Sequence, residues 1–292
     1  MSNVPVTQVP AVYNRRIGEI LVTTVCDGYI DVPSEVLTNI SSAESEVLLE
    51  KNFRPQRPRI TVNSFLIRSA GRTALIDAGS GNTLGPTLGW IPNNFKAAGI
   101  DLNAIDTVML THMHPDHSNG LLDASGANLF PAAELLMHEN EVAHWRNDAR
   151  REQADARQRV YFDTARHRLD RYAEQLRTVR EGQIVFPGVE AIAVPGHTPG
   201  HTAYRIASGS ESLLIWGDIV HVPEVQISRP EVGVAFDTDP AAAVVTRRRI
   251  LDMAMTDKLL VAGMHIHFPG FSHVVRNGTT YALVPEVYRL EV

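Results

Sequence analysis

Three apolar runs of strand length in this chain end on a histidine or an aspartate and pass straight into loop residues. They are "DTVMLTH" (106–112), "SLLIWGD" (212–218) and "KLLVAGMH" (258–265). A short apolar run bounded by turn residues reads as a buried strand. Its end is where a rigid sheet hands over to a loop, and functional residues concentrate at such positions. Three polar strand ends of this kind fit one shared rim of a sheet structure.

The remaining chain supplies the other strands in two blocks. In the first, "EILVTTVCDGYIDVP" (19–33) reads as two strands around a turn at Asp27-Gly28, a favoured hairpin dipeptide. "ITVNSFLIRS" and "RTALIDAG" are two more, separated by a turn at Ala70-Gly71, and "NNFKAAGI" is a helix stopped by Gly99. "AELLMH" is a strand and "NEVAHW" a helical turn. Residues 148 to 180 mix both charge signs, and Phe162, Ala165, Leu169, Tyr172 and Leu176 fall on one helical face, which predicts a packed helix with a solvated outer side. In the second block "GVEAIAV", "HTAYRIA" and "SLLIWGD" are strands. A helix over 241–255 follows, opened by Asp239 with Pro240 at its first position, and a hairpin turns at Asn277-Gly278. Each block holds several strands and at least one helix. That order predicts two sheets packed face to face with helices outside, rather than a regular parallel βαβ array. The domain reading is an N-terminal arm over 1–16, then one domain over 17–292 with a helical insertion at about 140–180.

Twelve histidines in 292 residues raise the question of clustering. "MLTHMHPDHSNG" (109–120) answers it with His112, His114, Asp116 and His117. In an extended loop, residues two apart point the same way, so His112 and His114 can grip one ion together. Beyond the turn at Pro115, Asp116 and His117 can face a second position. Completing candidates are His197 in "VPGHTPGH" (194–201), Asp218 and His265. Neutral imidazole and carboxylate suit zinc and similar divalent ions. Formal net charge is −6 with no basic block, which argues against a nucleic-acid binder. The one cysteine, Cys26, excludes an intramolecular disulfide and a cysteine-based zinc site. No apolar stretch is long enough to span a bilayer, and "MSNVPVTQVP" lacks the charge and apolar run of a signal peptide. A cytoplasmic protein without a membrane partner is expected.

With these residues in view, the chain resembles the metallo-β-lactamase-fold hydrolases. Their pattern H-x-H-x-D-H, then a lone His, an Asp and a last His, matches His112, His114, Asp116, His117, His197, Asp218 and His265 in order. "DAG" at 77–79 is similar to the family's first motif. The resemblance implies an α/β (α+β) fold, a four-layer αββα sandwich of two mixed β-sheets flanked by helices. It also implies two divalent cations, zinc being the expected pair, with manganese, iron or cobalt suited to the same ligands. One ion takes His112, His114 and His197, the other Asp116, His117 and His265, and Asp218 bridges them. Because true β-lactamases of the family generally lack that Asp, the resemblance implies a hydroxide shared by the two ions, acting on a small-molecule lactone, aryl ester or phosphotriester. Asp116 and Asp218 are the catalytic candidates. A homodimer is also implied.

Within the family the stretches "GPTLGWIPNNFKAAGI", "PGHTPGHTAY" and "HIHFPGFSHVV" are most similar to the methyl parathion hydrolase group and the related dinuclear lactonases. Leu84 stands where that group carries a pocket aromatic, and His221 stands where many lactonases carry a Tyr. Lactone or aryl ester hydrolysis is therefore expected first and organophosphate triester hydrolysis second. A glyoxalase II-like thioesterase ranks third, and a non-catalytic metal-dependent binding or sensor protein is the reading from a different class. The expected substrate pocket is Leu84, Trp145, Phe162, His221, His267 and His273. Each has an ordinary alternative: Trp145 and Phe162 as core, His221 as a loop hydrogen-bonder. Asp77 is expected to orient the metal loop and His201 to pack beside the site. His138, His144 and His167 read as surface histidines, and Cys26 as a small buried residue.

Overall fold

Period-two alternation along the strands sorts the apolar side chains into layers. Phe65 and Ile67 join Ala74, Ile76, Met109 and Leu136 in one buried cluster, together with Ala191, Tyr204, Ile206, Leu213 and Ile215. Their chain neighbours Leu66, Leu75, Val108 and Leu135 fall in a second cluster, with Phe95, Trp145, Phe162 and Leu169. Leu214, Trp216 and Val261 fall in a third, with Ile250 and Leu251. The first cluster is the seam between two sheets. The others are the outer faces, covered by helices. The protein is seen here as a computed structural model that describes residues 8–292.

The first half contributes β1 (Val12–Ile17), β2 (Ile20–Asp31), β3 (Leu37–Thr38), β4 (Arg59–Ser69), β5 (Arg72–Ile76), β6 (Thr107–Met109), β7 (Glu134–His138) and β8 (Leu176–Val179). The second contributes β9 (Ile184–Phe186), β10 (Val189–Ala193), β11 (Thr202–Ser208), β12 (Glu211–Ile215), β13 (Gly233–Val234), β14 (Leu260–Ala262), β15 (Phe271–Asn277) and β16 (Thr280–Pro285). One seven-stranded sheet runs β1-β2-β4-β5-β6-β7-β8 and the other β16-β15-β14-β12-β11-β10-β9, while β3 pairs with β13. The helices are α1 (Ser42–Lys51), α2 (Ile91–Ala97), α3 (Pro115–Ser118), α4 (Glu139–Trp145), α5 (Asp148–Gln153), α6 (Ala156–Arg171), α7 (Pro223–Gln226) and α8 (Pro240–Thr256). Apolar residues of α2, α4 and α6 cover the first sheet and those of α8 the second. This is the expected sandwich. No helix among the described residues is long and apolar enough to cross a membrane.

Strand direction places the site. β5, β6 and β7 are mutually parallel, so their carboxyl ends share an edge. β12 and β14 are parallel, and β10 runs with them through two antiparallel pairings. The two edges are stitched together across the seam. Tyr204 Oη donates to the Leu110 carbonyl (2.8 Å), Thr202 N to the Thr111 carbonyl (2.9 Å) and Asn63 N to the Met264 carbonyl (2.8 Å).

Local readings are corrected at three places. Asp27-Gly28 is not a turn: β2 runs through it, paired with β4 from Leu21 to Asp31 with a bulge at Cys26/Gly28. A partner strand is available along both halves, and the displaced Asp27 carboxylate accepts from the backbone N–H of Ser80 (2.9 Å) and Ile91 (3.2 Å). Residues 12–16 of the expected arm lie in edge strand β1, because Gly18 at φ 54° folds that strand back onto β2. Residues 1–7 of that arm lie outside the described residues. Finally, α6 ends at Arg171, and Leu176 opens β8 instead of extending the helical face.

Gly28 adopts φ 126°, and a Cβ added there would stand 1.9 Å from the Thr87 carbonyl oxygen. Gly28→Ala is therefore expected to cost about 2–3 kcal/mol through backbone strain and overpacking, read as a lowered urea midpoint. An unchanged midpoint would show that the bulge does not constrain this strand.

Candidate metal centre

Every candidate ligand leaves the rim just beyond a strand. The chain passes from β6 into His112 and His114, and Pro115 then starts α3, which carries Asp116 and His117. His197 follows β10, Asp218 follows β12 and His265 follows β14. Asp77, just past β5, sits in the left-handed region at φ 59°. Its buried carboxylate accepts from Thr111 N (2.7 Å), Thr111 Oγ1 (2.8 Å) and His117 Nδ1 (2.7 Å). Strain of about 1–3 kcal/mol at such a residue persists only where the surroundings over-determine it, and three donors do so here.

His112 Nε2, His114 Nδ1 and His197 Nε2 form a triangle with sides of 3.0, 2.8 and 3.2 Å. Asp218 Oδ2 lies 3.6 Å from His112 Nε2 and 3.2 Å from His197 Nε2. On its other side Asp218 Oδ1 lies 3.3 Å from His117 Nε2, and Oδ2 3.2 Å from His265 Nε2. Asp116 Oδ2 completes that second group, 3.4 Å from His117 Nε2 and 3.6 Å from His265 Nε2. Asp218 thus faces both groups.

Proton placement tests whether these residues fit a cation. His197 Nδ1 donates to Asp237 (2.8 Å), His117 Nδ1 to Asp77, and His265 Nδ1 to the Thr61 carbonyl (2.7 Å). His112 Nδ1 donates to Thr111 Oγ1 (3.0 Å), whose own proton goes to Asp77. In a neutral imidazole the other nitrogen is then a bare lone pair. With the four rings neutral, lone pairs on His112, His117, His197 and His265 would converge with carboxylate oxygens, and His117 Nε2 and Asp218 Oδ1 are buried without a hydrogen-bond partner. Burial is outweighed by the surrounding carboxylates, which push His117, His197 and His265 toward the protonated form, and a cation would displace the added proton. Nitrogen ligands 2.0–2.1 Å from a tetrahedral ion lie about 3.3 Å from one another, close to the spacings found. The donor set fits divalent cations. Burial, reinforced by neighbouring imidazoles, pushes His112 and His114 well below the ordinary histidine range, into the neutral ligand form. At His197 burial is outweighed by Asp218 and Asp237, and the group rises to about 9 in the cation-free protein.

Two further buried groups hold the cluster in place. His201 Nδ1 donates to the Val194 carbonyl (3.1 Å), and its Nε2 accepts from Asp218 N (2.9 Å), so it orients the central aspartate without ligating. Glu141, on α4, is fully buried. Its Oε1 accepts from Met113 N (2.9 Å) and Trp145 Nε1 (2.6 Å), and its Oε2 from Thr198 Oγ1 (2.6 Å) and Gly200 N (3.1 Å). One carboxylate thereby joins the His112–His114 loop of the first sheet to the His197 loop of the second.

A cleft of about 580 Å³ opens over the cluster. Leu84 and His221 line it. Tyr161, Phe236 and the aliphatic side chains of Ile30, Val32 and Ile60 line it too, and nothing in the sequence singled them out. They come from separate segments, so no spacing signal marks them. Glu141 and Asp237 were also missed, and only an acidic residue close to an apolar strand end could have flagged Glu141. His221 Nε2 lies 3.0 Å from Asp218 Oδ2, and its ring stacks on His265 with centroids 5.2 Å apart.

Six residues stand elsewhere than the sequence suggested. Trp145 and Phe162 do not line this cleft; they pack on each other with centroids 4.9 Å apart, because Glu141 draws the indole N–H inward. They face a neighbouring cavity instead. His267 turns away to Thr61 Oγ1 (3.1 Å) and Glu224 (2.6 Å). His273 is exposed on β15 and meets the Leu259 carbonyl (3.1 Å), since strand alternation points it away from the core. His138 and His144 are buried, not surface residues: His138 caps α4, and His144 packs against both Trp145 and Phe162. His167 is exposed as expected.

A two-sheet sandwich with a His/Asp cluster on its shared rim is the architecture of a metal-dependent hydrolase. The chain belongs to the metallo-beta-lactamase superfamily, whose sequence pattern matches residues 57–265. Among solved structures it is similar to hydrolase AbOPH in the beta lactamase superfamily, with a TM-score of 0.90 and 28% identity, covering 97% of this chain and 100% of that one. AidC, a dizinc quorum-quenching lactonase in complex with a product, N-hexanoyl-L-homoserine, shares the fold with a TM-score of 0.91 and 23% identity over 96% of this chain and 99% of that one. A probable metal-dependent hydrolase from Staphylococcus aureus shares it with a TM-score of 0.75 and 20% identity, over 94% and 100%. No curated protein matches the chain.

All four groups facing Glu141 are donors, so the amide of Glu141→Gln meets donors with a donor. Metal content after dialysis is expected to fall and stability to drop by about 1–3 kcal/mol; full retention of both would remove Glu141 from this role. Burial, with Arg150 nearby, lowers His144 to about 4. Between pH 6.5 and 4 the unfolded chain binds a proton at this residue that the folded chain does not, so stability falls as the pH drops through that window. Urea midpoints across it should decline less steeply in His144→Gln, and equal slopes would refute the assignment.

Proposed function

We propose that the protein opens lactones or cleaves aryl esters with a pair of divalent cations, zinc being the expected ion. His112, His114 and His197 hold one cation, Asp116, His117 and His265 the other, and Asp218 lies between them. The carrying observation is the cleft, where Ile30, Val32, Ile60, Leu84 and Phe236 form an apolar wall directly over the converging donor atoms. Cations at such a site supply Lewis acidity to a carbonyl or phosphoryl oxygen and lower the pKa of water.

The protein's own groups do the rest. The apolar wall seats the acyl or aryl body and excludes bulk water, which strengthens every charge interaction beneath it. Asp116, whose side chain is 21% exposed, and Asp218 offer carboxylate oxygens that hold the proton released from water. His221 Nε2, in the wall beside Asp218, lies within reach of a leaving oxygen seated there. AidC's bound product, an acyl homoserine, is consistent with lactone chemistry on this fold. Hydrolysis of neutral organophosphate triesters, as in the methyl parathion hydrolase group, is the second reading. The aromatic rings of Tyr161 and Phe236 in the same wall favour it, because they suit a neutral aryl leaving group.

An aryl lactone and a nitrophenyl phosphotriester, assayed before chelation, after it and after metal add-back, test both readings. Chelator-sensitive turnover of the lactone is expected to dominate, and no such turnover on any ester or triester would refute the proposal. In Asp218→Ala, kcat should fall on the order of a hundredfold or more while KM moves far less. An unchanged kcat in a fully metallated variant would rule out the role given to Asp218.

A further inference from the structure

The neighbouring cavity that receives Trp145 and Phe162 is a separate space of about 820 Å³. It shares His114, Tyr161 and Phe236 with the metal cleft, so the two spaces adjoin across those side chains. Its character differs from that of the cleft. Arg150 and Arg157 line it, and Gln153 and Gln158 add amide groups.

Arg146, Arg151 and Arg166 are paired with Asp170, Asp163 and Asp148. Arg150 and Arg157, like Arg159, Arg168 and Arg171, have no carboxylate partner among the described residues, and of these five it is Arg150 and Arg157 that line the cavity. Arg157 is held over the rings of Tyr161 and Phe236, 5.6 and 4.8 Å from their centroids, at the boundary with the metal cleft. His144, 8% exposed, lines the same cavity, and its Nδ1 is buried with no hydrogen-bond partner. Asp237 also borders the space; its carboxylate is fully buried, with its oxygens taken up by His197 Nδ1 and Val234 N. Two positive charges without partners, amide groups and an unpartnered imidazole make a built site for an anionic oxygen group. A guanidinium already stacked on two rings loses little freedom on binding one.

Resting on the proposed hydrolysis at the metal cleft, the geometry points to this cavity as a subsite for a carboxylate at the far end of the substrate. Arg150 and Arg157 recognise that carboxylate while the scissile ester lies over the metal ligands. The preferred substrates are then esters or lactones whose acyl chain ends in an acid.

The test uses metal-loaded, full-length protein and two series of nitrophenyl esters of increasing acyl length, one ending in methyl and one in carboxylate. At some chain length the carboxylate ester is expected to show about a tenfold lower KM than its methyl counterpart, the size of one charge-assisted hydrogen bond. Added salt should shrink that advantage, because both arginines are exposed. In Arg150→Gln/Arg157→Gln the two KM values should converge, and Arg150→Gln alone should take an intermediate position. No carboxylate advantage at any length, or an advantage that survives in the double variant, overturns the subsite. Cleavage of neither series would refute the ester chemistry instead. The subsite is then decided by calorimetry with amides that end in a carboxylate: binding that is lost in the double variant supports it, and absence of binding overturns it.

Discussion

The Glu141 carboxylate is the contact on which the arrangement of the site depends. It lies on the short helix after β7, fully buried, and accepts four hydrogen bonds. Two come from the first-sheet side, at Met113 and Trp145, and two from the second, at Thr198 and Gly200. A buried carboxylate is tolerated only when its oxygens are satisfied. The requirement acts in reverse here, because satisfying Glu141 brings the two halves of the chain into one registration. His112 and His114 then face His197 at 2.8–3.2 Å.

The same logic repeats around the cluster. Asp77 fixes Thr111 and His117, Asp237 fixes His197, Thr61 fixes His265, and His201 fixes Asp218. Each partner takes one polar atom and leaves the functional atom aimed inward. The ring orientations are set in this way, each with one nitrogen anchored and the other facing inward, so ordering the ligands adds little further cost on binding. Above this polar layer the wall changes abruptly to Ile30, Val32, Ile60, Leu84 and Phe236, a contrast that suits the proposed ester or lactone chemistry.

Most of the fold was legible in the sequence because alternation and strand length report directly on burial. The hairpins at Ala70-Gly71 and Asn277-Gly278 and the helix opened by Asp239 stand where their local signals put them. Asp27-Gly28 misled for a physical reason: a favoured turn dipeptide was overridden by a long partner strand, and the bulge gave Asp27 two backbone donors. The candidate ligands were legible because they lie at strand ends within short motifs. The pocket was not. Leu84 and His221 belong to it, but Trp145, Phe162, His267 and His273 point elsewhere.

By itself the sequence determined which residues could carry the chemistry. His112, His114, Asp116 and His117 lie within six positions, and His197, Asp218 and His265 each follow an apolar strand, so local patterning was enough to mark them. Only the tertiary structure decided what stands over them. The wall is assembled from residues as distant as Ile30 and Phe236, and Arg150 and Arg157 are set apart from other unpaired arginines of the same region by the cavity they line. A ligand motif is written in spacing along the chain. A pocket is written in distances between segments, which spacing along the chain does not encode.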